Sequence, residues 1–241
     1  MTKSIAMWSG PRNLSTAMMR AWENRADTEV WDEPFYGPYL HATGAPHPHA
    51  SEVIAAQGKA WEPIAEACRG PAPGGAAIFF QKHMTHHMLD HLSLGWMADV
   101  SNAFLIRRPE AVLNSYLHSR ATAKAEDLGY ARQCELVDHV INSGHTPLII
   151  EASDLLKAPR EMLAALCDAL AVPFDECMLS WPAGPRDSDG VWAKHWYASV
   201  WASTGFAPYR ATAVTVPQAY ADVVTMCRPY YERLYAMRLR P

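Results

Sequence analysis

The sequence predicts an α/β fold, a three-layer sandwich in which a mostly parallel central sheet lies between two layers of helices. Five short apolar runs of strand length alternate with stretches of helical spacing, which is the pattern of βαβ units. The 241 residues, 49% of them hydrophobic, suffice for a buried core, and neither an internal repeat nor a long linker divides them. We therefore expect a single domain over residues 1–241.

The first predicted unit is a strand, a tight turn and a helix. Residues 4–8 are apolar and predict a buried strand, and residues 17–22 have helical spacing without a breaker. The turn between them contains Gly10 and Pro11. A strand, a turn and a helix N-terminus together form an anion site, because free backbone N–H groups and the helix dipole converge there.

Polar residues in this turn strengthen the interpretation as an anion site. Arg12 adds a permanent cation whose planar fork suits phosphate or sulfate oxygens, and Ser15 and Thr16 are good helix N-cap residues. No Gly-Lys pair precedes Ser15, and Leu14 stands where a glycine would be expected, so the turn is not a GxxxxGK[ST] loop. On this segment alone, an ordinary βα turn with an exposed arginine is an equal alternative.

The remaining elements follow in order along the chain. Four further strands are predicted at residues 30–31, 76–80, 103–106 and 147–151. Helices are predicted at residues 51–68, from 84 to about 94, and over 109–120, 127–143, 153–170 and 218–237. Residues 37–50, rich in Gly, Pro and His, predict a loop or lid without a helix, and residues 181–190 predict a second loop.

The composition of the chain limits the classes of binding partner and the cellular compartment that we expect for it. The net charge of −4 and the pI of about 6.2 do not favour nucleic-acid binding. The five cysteines are scattered and form no CxxC pair, which argues against a disulfide framework and a zinc site and suits a reducing cytoplasm. No run approaches eighteen apolar residues, so we expect no membrane insertion.

Charged residues follow four of the predicted strands. In parallel sheets ligands bind beyond the carboxyl ends of the strands, so side chains at these ends should lie close together. The clusters are Arg12, Asp32 with Glu33, Lys82 with His83, and Arg107 with Arg108. The sequence therefore predicts one site for a polyanion.

The order and spacing of two of these motifs resemble the sulfotransferase family. That family has a 5′-phosphosulfate loop of the form [KR]-S-G-T-T, and residues 12–16 (Arg-Asn-Leu-Ser-Thr) match its basic residue and both hydroxyls. Its 3′-phosphate motif is an apolar strand, then Arg-x-Pro, then a serine eight residues after the arginine. Arg107, Pro109 and Ser115 match this motif fully, about ninety residues after the first. Residues 149–156, Pro159 and residues 170–174 are similar to later family segments.

The resemblance implies a fold like that of P-loop nucleoside triphosphate hydrolases, and 3′-phosphoadenylyl sulfate as sulfuryl donor. It implies that residues 10–16 bind the 5′ side of the donor and that Arg107 and Ser115 bind its 3′-phosphate. The implied donor-binding residues are Gly10, Pro11, Arg12, Asn13, Leu14, Ser15, Thr16, Arg107 and Ser115. The departures from the family pattern are Asn13 and Leu14, which replace the usual Ser and Gly.

The family also implies two candidates for the catalytic base. In the branch that acts on proteins and sugars, a glutamate lies about twenty residues after the basic loop residue, where Glu33 stands here. In the cytosolic small-molecule branch the base is a histidine in a Lys-Thr-His-like segment, which Lys82 and His83 resemble. A base must take the acceptor proton and a cation must stabilise the leaving oxygen, for which Arg12 and Lys82 are candidates. No metal is required.

Several interpretations stay open at this stage. A P-loop kinase or nucleotide hydrolase is disfavoured by the missing Gly-Lys-Ser/Thr, and a catalytically inactive nucleotide-binding relative is the third possibility. The acceptor, a small molecule, would contact residues 35–60 and 185–206. The aromatic residues Trp192, Trp196, Tyr197 and Trp201 pack in the core, stack on the adenine of the donor or line this pocket. His83, His87 and His91 are four apart, which more often marks a polar helix face than a metal site.

Overall fold

A computed structural model describes residues 2–211 and 214–240. Within these residues five strands form one sheet in the order β2-β3-β1-β4-β5, and every neighbouring pair is parallel. The strands are β1 (Lys3–Ser9), β2 (Thr28–Asp32), β3 (Ile78–Met84), β4 (Ser101–Ile106) and β5 (Leu148–Glu151). The sheet confirms the predicted α/β class, and each predicted strand overlaps an observed one.

The central strand, β1, is buried on both faces. Ile5 and Met7 pack into one apolar cluster, and Ala6 and Trp8 pack into another on the opposite side of the sheet. Successive side chains of a strand point to opposite faces, so an uninterrupted apolar run requires helices on both. The apolar run of β1 therefore predicts a sheet that is covered by helices on both faces.

Helices cover both faces of the sheet. The cluster with Ala6 and Trp8 involves α4, α5, α7 and α12, and the cluster with Ile5 and Met7 involves α1 and α9. A third cluster joins α2 and α3 to the segment with α10 and α11. The helices are α1 (Ser15–Glu23), α2 (Tyr36–Thr43), α3 (Ala50–Gln57), α4 (Glu62–Arg69), α5 (Pro109–Leu117), α6 (Ala125–Leu128), α7 (Tyr130–Asn142), α8 (Ala152–Lys157), α9 (Pro159–Ala169), α10 (Ala193–Trp196), α11 (Ala198–Trp201) and α12 (Ala221–Ala236).

The prediction of a loop without a helix at residues 37–50 was wrong, because α2 occupies Tyr36–Thr43. Pro38 lies in the first turn of this helix, where a missing N–H group costs no intrahelical hydrogen bond. Gly44 follows the last residue in the left-handed conformation (φ 62°), the usual position of a glycine at a helix end. The Pro and Gly that indicated a loop therefore mark the beginning and end of a helix.

Two of the predicted continuous helices are each divided by a glycine. Gly58 (φ 83°) follows α3 and separates it from α4, within the predicted helix at 51–68. Gly129 (φ 75°) separates α6 from α7, within the predicted helix at 127–143. The left-handed region is open to glycine at little cost, so the chain changes direction at these positions.

The helix predicted from residue 84 to about residue 94 is absent from the described structure. β3 extends to Met84, and a single 3-10 turn follows at Thr85–His87. The polar residues at the end of β3 indicated that the strand had ended, yet Lys82 and His83 are each 1% exposed and pair with β1. Among the described residues, no helix combines the length and the apolarity that a bilayer crossing requires.

Candidate functional site

A cavity of about 460 Å³ lies at the carboxyl edge of the sheet, where β1, β2, β3 and β4 end. The strand order turns back at β1, which has β3 on one side and β4 on the other. Such a reversal opens a crevice for ligands. Ten predicted site residues line the cavity: Pro11, Arg12, Asn13, Leu14, Ser15, Thr16, Glu33, Lys82, Arg107 and Ser115. Gly10 and His83 are not among its lining residues in the described part of the chain.

The loop after β1 has an unusual backbone. Arg12 (φ 62°) and Leu14 (φ 67°) both adopt the left-handed conformation. Leu14 keeps the conformation expected of a glycine at this position, at a cost of roughly 1–2 kcal/mol. It is the N-cap of α1 and its side chain makes no capping hydrogen bond, whereas Ser15 and Thr16, predicted as caps, are the first helical residues. The first N–H groups of α1 are therefore available to an anion.

Gly10 supports the loop by close packing. A Cβ atom at this position would lie 2.3 Å from the carbonyl oxygen of Leu128. Gly129 lies opposite, and a Cβ atom there would be 2.7 Å from Thr85 Oγ1. Only glycine lets the loop and the α6–α7 junction approach this closely.

The two basic motifs contact each other directly. Arg12 Nε donates a hydrogen bond of 2.9 Å to Ser115 Oγ, and Arg107 Nη1 donates one of 3.0 Å to the Arg12 carbonyl oxygen. The hydroxyl of Tyr130 donates to the Arg107 carbonyl oxygen. Burial lowers the pKa of the Arg107 guanidinium, and the charges of Arg12 and Arg108 act in the same direction. Concentrated positive charge of this kind favours an anionic ligand.

Asn13 supports the loop structurally, and Arg108 lies outside the cavity. The side chain of Asn13 is 1% exposed and its Nδ2 donates to the carbonyl oxygen of Leu105, 3.5 Å away, which ties the loop to β4. Its amide side chain thus shapes the loop, and the residue lines the cavity. Arg108 is exposed and does not line the cavity in the described structure.

Lys82 is the centre of a buried ionic network. Its Nζ contacts Asp32 Oδ1 at 2.8 Å, the Tyr197 hydroxyl at 2.7 Å, and Glu33 Oε1. The Tyr197 hydroxyl donates in turn to Asp32 Oδ2 at 2.7 Å. Burial alone would lower the pKa of Lys82, but the charges of Asp32 and Glu33 raise it well above its ordinary value. The ammonium is therefore charged, and its three donors are all used.

Glu33 belongs to this network and has a strained backbone. Burial raises the pKa of its carboxyl group, and the charge of Asp32 adds to the effect while Lys82 opposes it. Its backbone is left-handed (φ 42°), and Gln57 Nε2 donates a hydrogen bond of 2.9 Å to its carbonyl oxygen. Strained backbone at a cavity that also holds a carboxyl group of raised proton affinity is a mark of a functional site.

His83 lies on the opposite face of the sheet from Lys82. Its ring stacks on Trp8 with centroids 4.5 Å apart, and Nε2 is 3.2 Å from Gln81 Oε1. Burial lowers its pKa to about 3, with Lys82 adding to the shift. His83 is thus a neutral histidine of the apolar core, separated from the cavity by the sheet.

Histidine and aromatic side chains form the other end of the cavity, which we call the histidine end: Tyr36, His86, His87, Arg120 and Trp196. The His87 ring stacks on Tyr36 with centroids 4.5 Å apart and on Tyr39 at 4.8 Å. Tyr36 and Trp196 fall in the segments expected to contact the acceptor, residues 35–60 and 185–206, whereas sequence reasoning did not select His86 or Arg120. Of the aromatic segment, Trp192 packs in the core while Trp196 and Tyr197 line the cavity.

His83 and His87 do not share a helix face, since His83 is in β3 and His87 is in a 3-10 turn. Among the described residues, no group of three or more His, Cys, Asp or Glu side chains has the arrangement of a metal site.

Comparison with solved structures identifies sulfotransferase folds. The chain aligns over its full length with 98% of a sulfotransferase from Alicyclobacillus acidocaldarius (TM-score 0.57, 12% identity). It likewise covers 98% of the sulfotransferase domain of the Synechococcus PCC 7002 olefin synthase (TM-score 0.55, 16% identity). It covers 99% of the sulfotransferase domain from the curacin biosynthetic pathway (TM-score 0.54, 16% identity). At these identities the comparisons show the fold.

Sequence comparison adds the family. Two curated relatives from Arabidopsis thaliana, called branched-chain-amino-acid aminotransferase-like proteins 1 and 2, are each 34% identical over 230 residues. The match covers 95% of this chain and 41% of each relative's length. The family model described as a sulfotransferase domain matches residues 3–240. This confirms the family predicted from the two phosphate motifs: the chain belongs to the sulfotransferase family.

Proposed function

We propose that the protein transfers a sulfuryl group from 3′-phosphoadenylyl sulfate to a hydroxyl or amino group of a small acceptor. The observation that carries this proposal is the hydrogen bond between Arg12 and Ser115. It joins the loop that resembles a 5′-phosphosulfate motif to the motif that resembles a 3′-phosphate site. A donor with phosphate groups on both sides of its ribose needs both motifs in one cavity.

The chemistry of the lining residues fits such a donor. Arg12 and Arg107 supply cationic donors, and Ser15, Thr16 and Ser115 supply hydroxyl groups. The N-terminus of α1 adds backbone N–H groups without a side-chain cap. Charged hydrogen bonds of this kind contribute about 1.5–3 kcal/mol each. We assign the 5′ side of the donor to the loop and the 3′-phosphate to Arg107 and Ser115.

Glu33 is the proposed base. The acceptor oxygen forms a bond to sulfur while the bond from sulfur to the bridging phosphate oxygen of the donor breaks, which releases adenosine 3′,5′-bisphosphate. Glu33 takes the acceptor proton during this step, and its raised pKa suits it to do so near neutral pH. Arg12 stabilises the negative charge on the phosphate oxygens. His83 has no such role in this proposal, because it lies behind the sheet.

Lys82 has two successive tasks in this scheme. Its three donors hold Asp32, Glu33 and Tyr197, so at first it fixes the base. Protonation removes the charge of Glu33 and weakens its bond to Lys82, which frees one N–H group for the leaving oxygen. Proton transfer and charge stabilisation are thereby coupled.

Ligand-induced stabilisation tests the donor assignment. A ligand that binds the native state raises the melting temperature, and at one ligand concentration the tighter ligand raises it more. We expect adenosine 3′,5′-bisphosphate to stabilise the protein more than ATP with magnesium or AMP does, because only the bisphosphate carries both phosphate groups. Equal shifts, or a larger shift with magnesium and ATP, would favour a kinase or nucleotide hydrolase instead.

Turnover is tested separately by mass spectrometry of acceptor mixtures incubated with the donor. Products heavier by one sulfuryl group identify both the activity and the acceptor class. Bisphosphate binding without any sulfated product in a broad acceptor panel would indicate an inactive relative. We place the reaction in a reducing cytoplasm, which the five free cysteines support.

A further inference from the structure

The histidine end of the cavity differs in chemistry from the donor motifs. His87 is enclosed by Tyr36 and Tyr39, and Trp196 donates to His47 Nε2 at 3.2 Å. Burial lowers the pKa of His86 to about 4 and that of His87 well below its ordinary value. These rings are therefore neutral at physiological pH, and the walls suit a flat organic body.

Arg120 is the cation of this end. Its guanidinium carbon lies 4.6 Å from the centre of the Trp196 ring. Within residues 2–211 and 214–240, no carboxylate pairs with Arg120 and no oxygen accepts its hydrogen bonds. Its positive charge adds to the lowering of the pKa of His47 and His86, which places it among these rings. A half-buried arginine at a cavity wall with free donors is a binding group for an anion.

The other charges at this end are already engaged. Asp127 also lines the cavity, but its Oδ2 accepts a hydrogen bond of 2.8 Å from the backbone N–H of Lys124 at the beginning of α6. Glu33 and Lys82 form a hydrogen-bonded ion pair with each other. Asp127 keeps its charge and acts together with Arg120 on Tyr39 and Tyr116, but no ion pair joins Asp127 to Arg120 among the described residues.

Arg120 also lies apart from the donor motifs. Arg12 contacts Ser115 and Arg107 contacts Arg12, whereas Arg120 packs on the Trp196 ring in another part of the cavity wall. Glu33 lies between the two ends, with its Oε2 3.9 Å from His87 Nε2. A molecule whose hydroxyl group reaches Glu33 from the histidine end would therefore place its far side near Arg120.

We propose that the histidine end binds the acceptor and that Arg120 binds a negatively charged group on it. The acceptor class is then a small organic acid with a hydroxyl group, its flat or apolar body lying between the Tyr36, His87 and Trp196 rings. This inference rests on the proposed function, because it assigns the acceptor of that reaction.

The test isolates this end by filling the donor motifs first. The protein is saturated with adenosine 3′,5′-bisphosphate and titrated by calorimetry with two matched pairs, 4-hydroxybenzoate against 4-hydroxybenzamide and 4-hydroxybutyrate against 4-hydroxybutyramide. Each pair differs in charge and hardly in shape. We expect at least one acid to bind ten times or more tightly than its amide, and Arg120→Gln to reduce this ratio below threefold.

Arg108→Gln is the matched control, because Arg108 is exposed and lies outside the cavity lining. It should keep the tenfold ratio. Equal binding of acids and amides to the unaltered protein, or a ratio that survives Arg120→Gln, would overturn the inference. If the bisphosphate itself does not bind, the proposed function fails instead. Binding of the bisphosphate to Arg120→Gln shows that this variant is folded. The ratio of acid to amide binding in the unaltered protein tests the inference independently of the variant.

Discussion

Arg12 and Ser115 are 103 positions apart in the chain, and the Arg12 Nε atom lies 2.9 Å from the Ser115 Oγ atom. The contact is possible because β1 and β4 are parallel neighbours, which brings the loop after β1 beside the helix after β4. Arg107 stabilises the same loop by donating a hydrogen bond to the Arg12 carbonyl oxygen. Three residues from two motifs thus form one cationic surface whose geometry depends on the sheet.

Removal of Arg107 should weaken donor binding more than the loss of one charge would suggest. We expect Arg107→Ala to raise the Kd of adenosine 3′,5′-bisphosphate by about ten- to hundredfold, equivalent to ~1.5–3 kcal/mol for a charged hydrogen bond. The Arg12 carbonyl also loses its partner in this variant. Calorimetry measures the change. The adjacent Arg108→Ala is the control, and an equal effect there would mean that Arg107 acts through general charge alone.

The two candidate bases can be separated by substitution. We expect Glu33→Gln to reduce kcat by at least a hundredfold while the Kd of the bisphosphate changes less than threefold, because general-base contributions are typically 10²–10⁴-fold. His83→Gln should retain most of the turnover, since the sheet lies between His83 and the cavity. The measurement is the rate of sulfated product by mass spectrometry. A variant lacking Glu33 that keeps full turnover, beside an inactive His83 variant, would reverse the assignment.

Asp32 should set the pH dependence of turnover. Its charge contributes to raising the pKa of Glu33, after burial, so Asp32→Asn lowers that pKa. A base must be ionised to act, and turnover rises with pH through its pKa. We therefore expect the acid limb of the kcat profile to move to lower pH in Asp32→Asn. Tyr197→Phe serves for comparison, because it removes a donor to Asp32 without removing a charge. An acid limb that stays in place in Asp32→Asn would exclude Glu33 as the group that titrates.

The strands and the convergence of the basic motifs were predictable because each depends on local pattern. Five apolar runs gave five strands, and in a parallel sheet all strand ends meet at one edge, so Arg12, Glu33, Lys82 and Arg107 line one cavity. Which of two adjacent strand residues faces the cavity was not predictable. Lys82 and His83 point to opposite faces, and the period of two in a strand does not state which face is which.

The histidine end was predicted only in part, and for a different reason. Tyr36 lies in the segment expected to contact the acceptor, but in a helix whose Pro38 indicated a loop. Arg120 was predicted as the last residue of a helix over 109–120, yet it lies beyond α5, which ends at Leu117. Their proximity depends on how the segment with Trp196 packs over the sheet edge, which is a tertiary relationship. Leu14 shows a further limit, because its left-handed backbone is imposed by the loop against the preference of the residue.

The close approach at Gly10 should not tolerate any side chain. A Cβ atom would lie 2.3 Å from the Leu128 carbonyl oxygen, so Gly10→Ala must displace the loop or the end of α6, at a cost of roughly 1–3 kcal/mol. The displacement also weakens bisphosphate binding. Gly95→Ala is the control, since the nearest atom to its Cβ would be Ser93 Oγ at 3.7 Å. Equal melting temperatures for the two variants would show that the loop adapts freely.

Acid should destabilise the fold through its buried histidines. Burial lowers the pKa of His83 to about 3 and that of His86 to about 4, whereas an unfolded chain protonates histidine near pH 6.5. Between these values the unfolded state binds more protons, so the free energy of unfolding falls as pH falls, by roughly 1.4 kcal/mol per pH unit for each group. Urea titrations between pH 7 and pH 4.5 measure the slope. We expect His83→Phe to reduce the slope by the contribution of one histidine. His145→Gln, at an exposed position, is the control and should leave the slope unchanged. A slope that His83→Phe leaves unchanged would show that His83 is protonated in the folded protein.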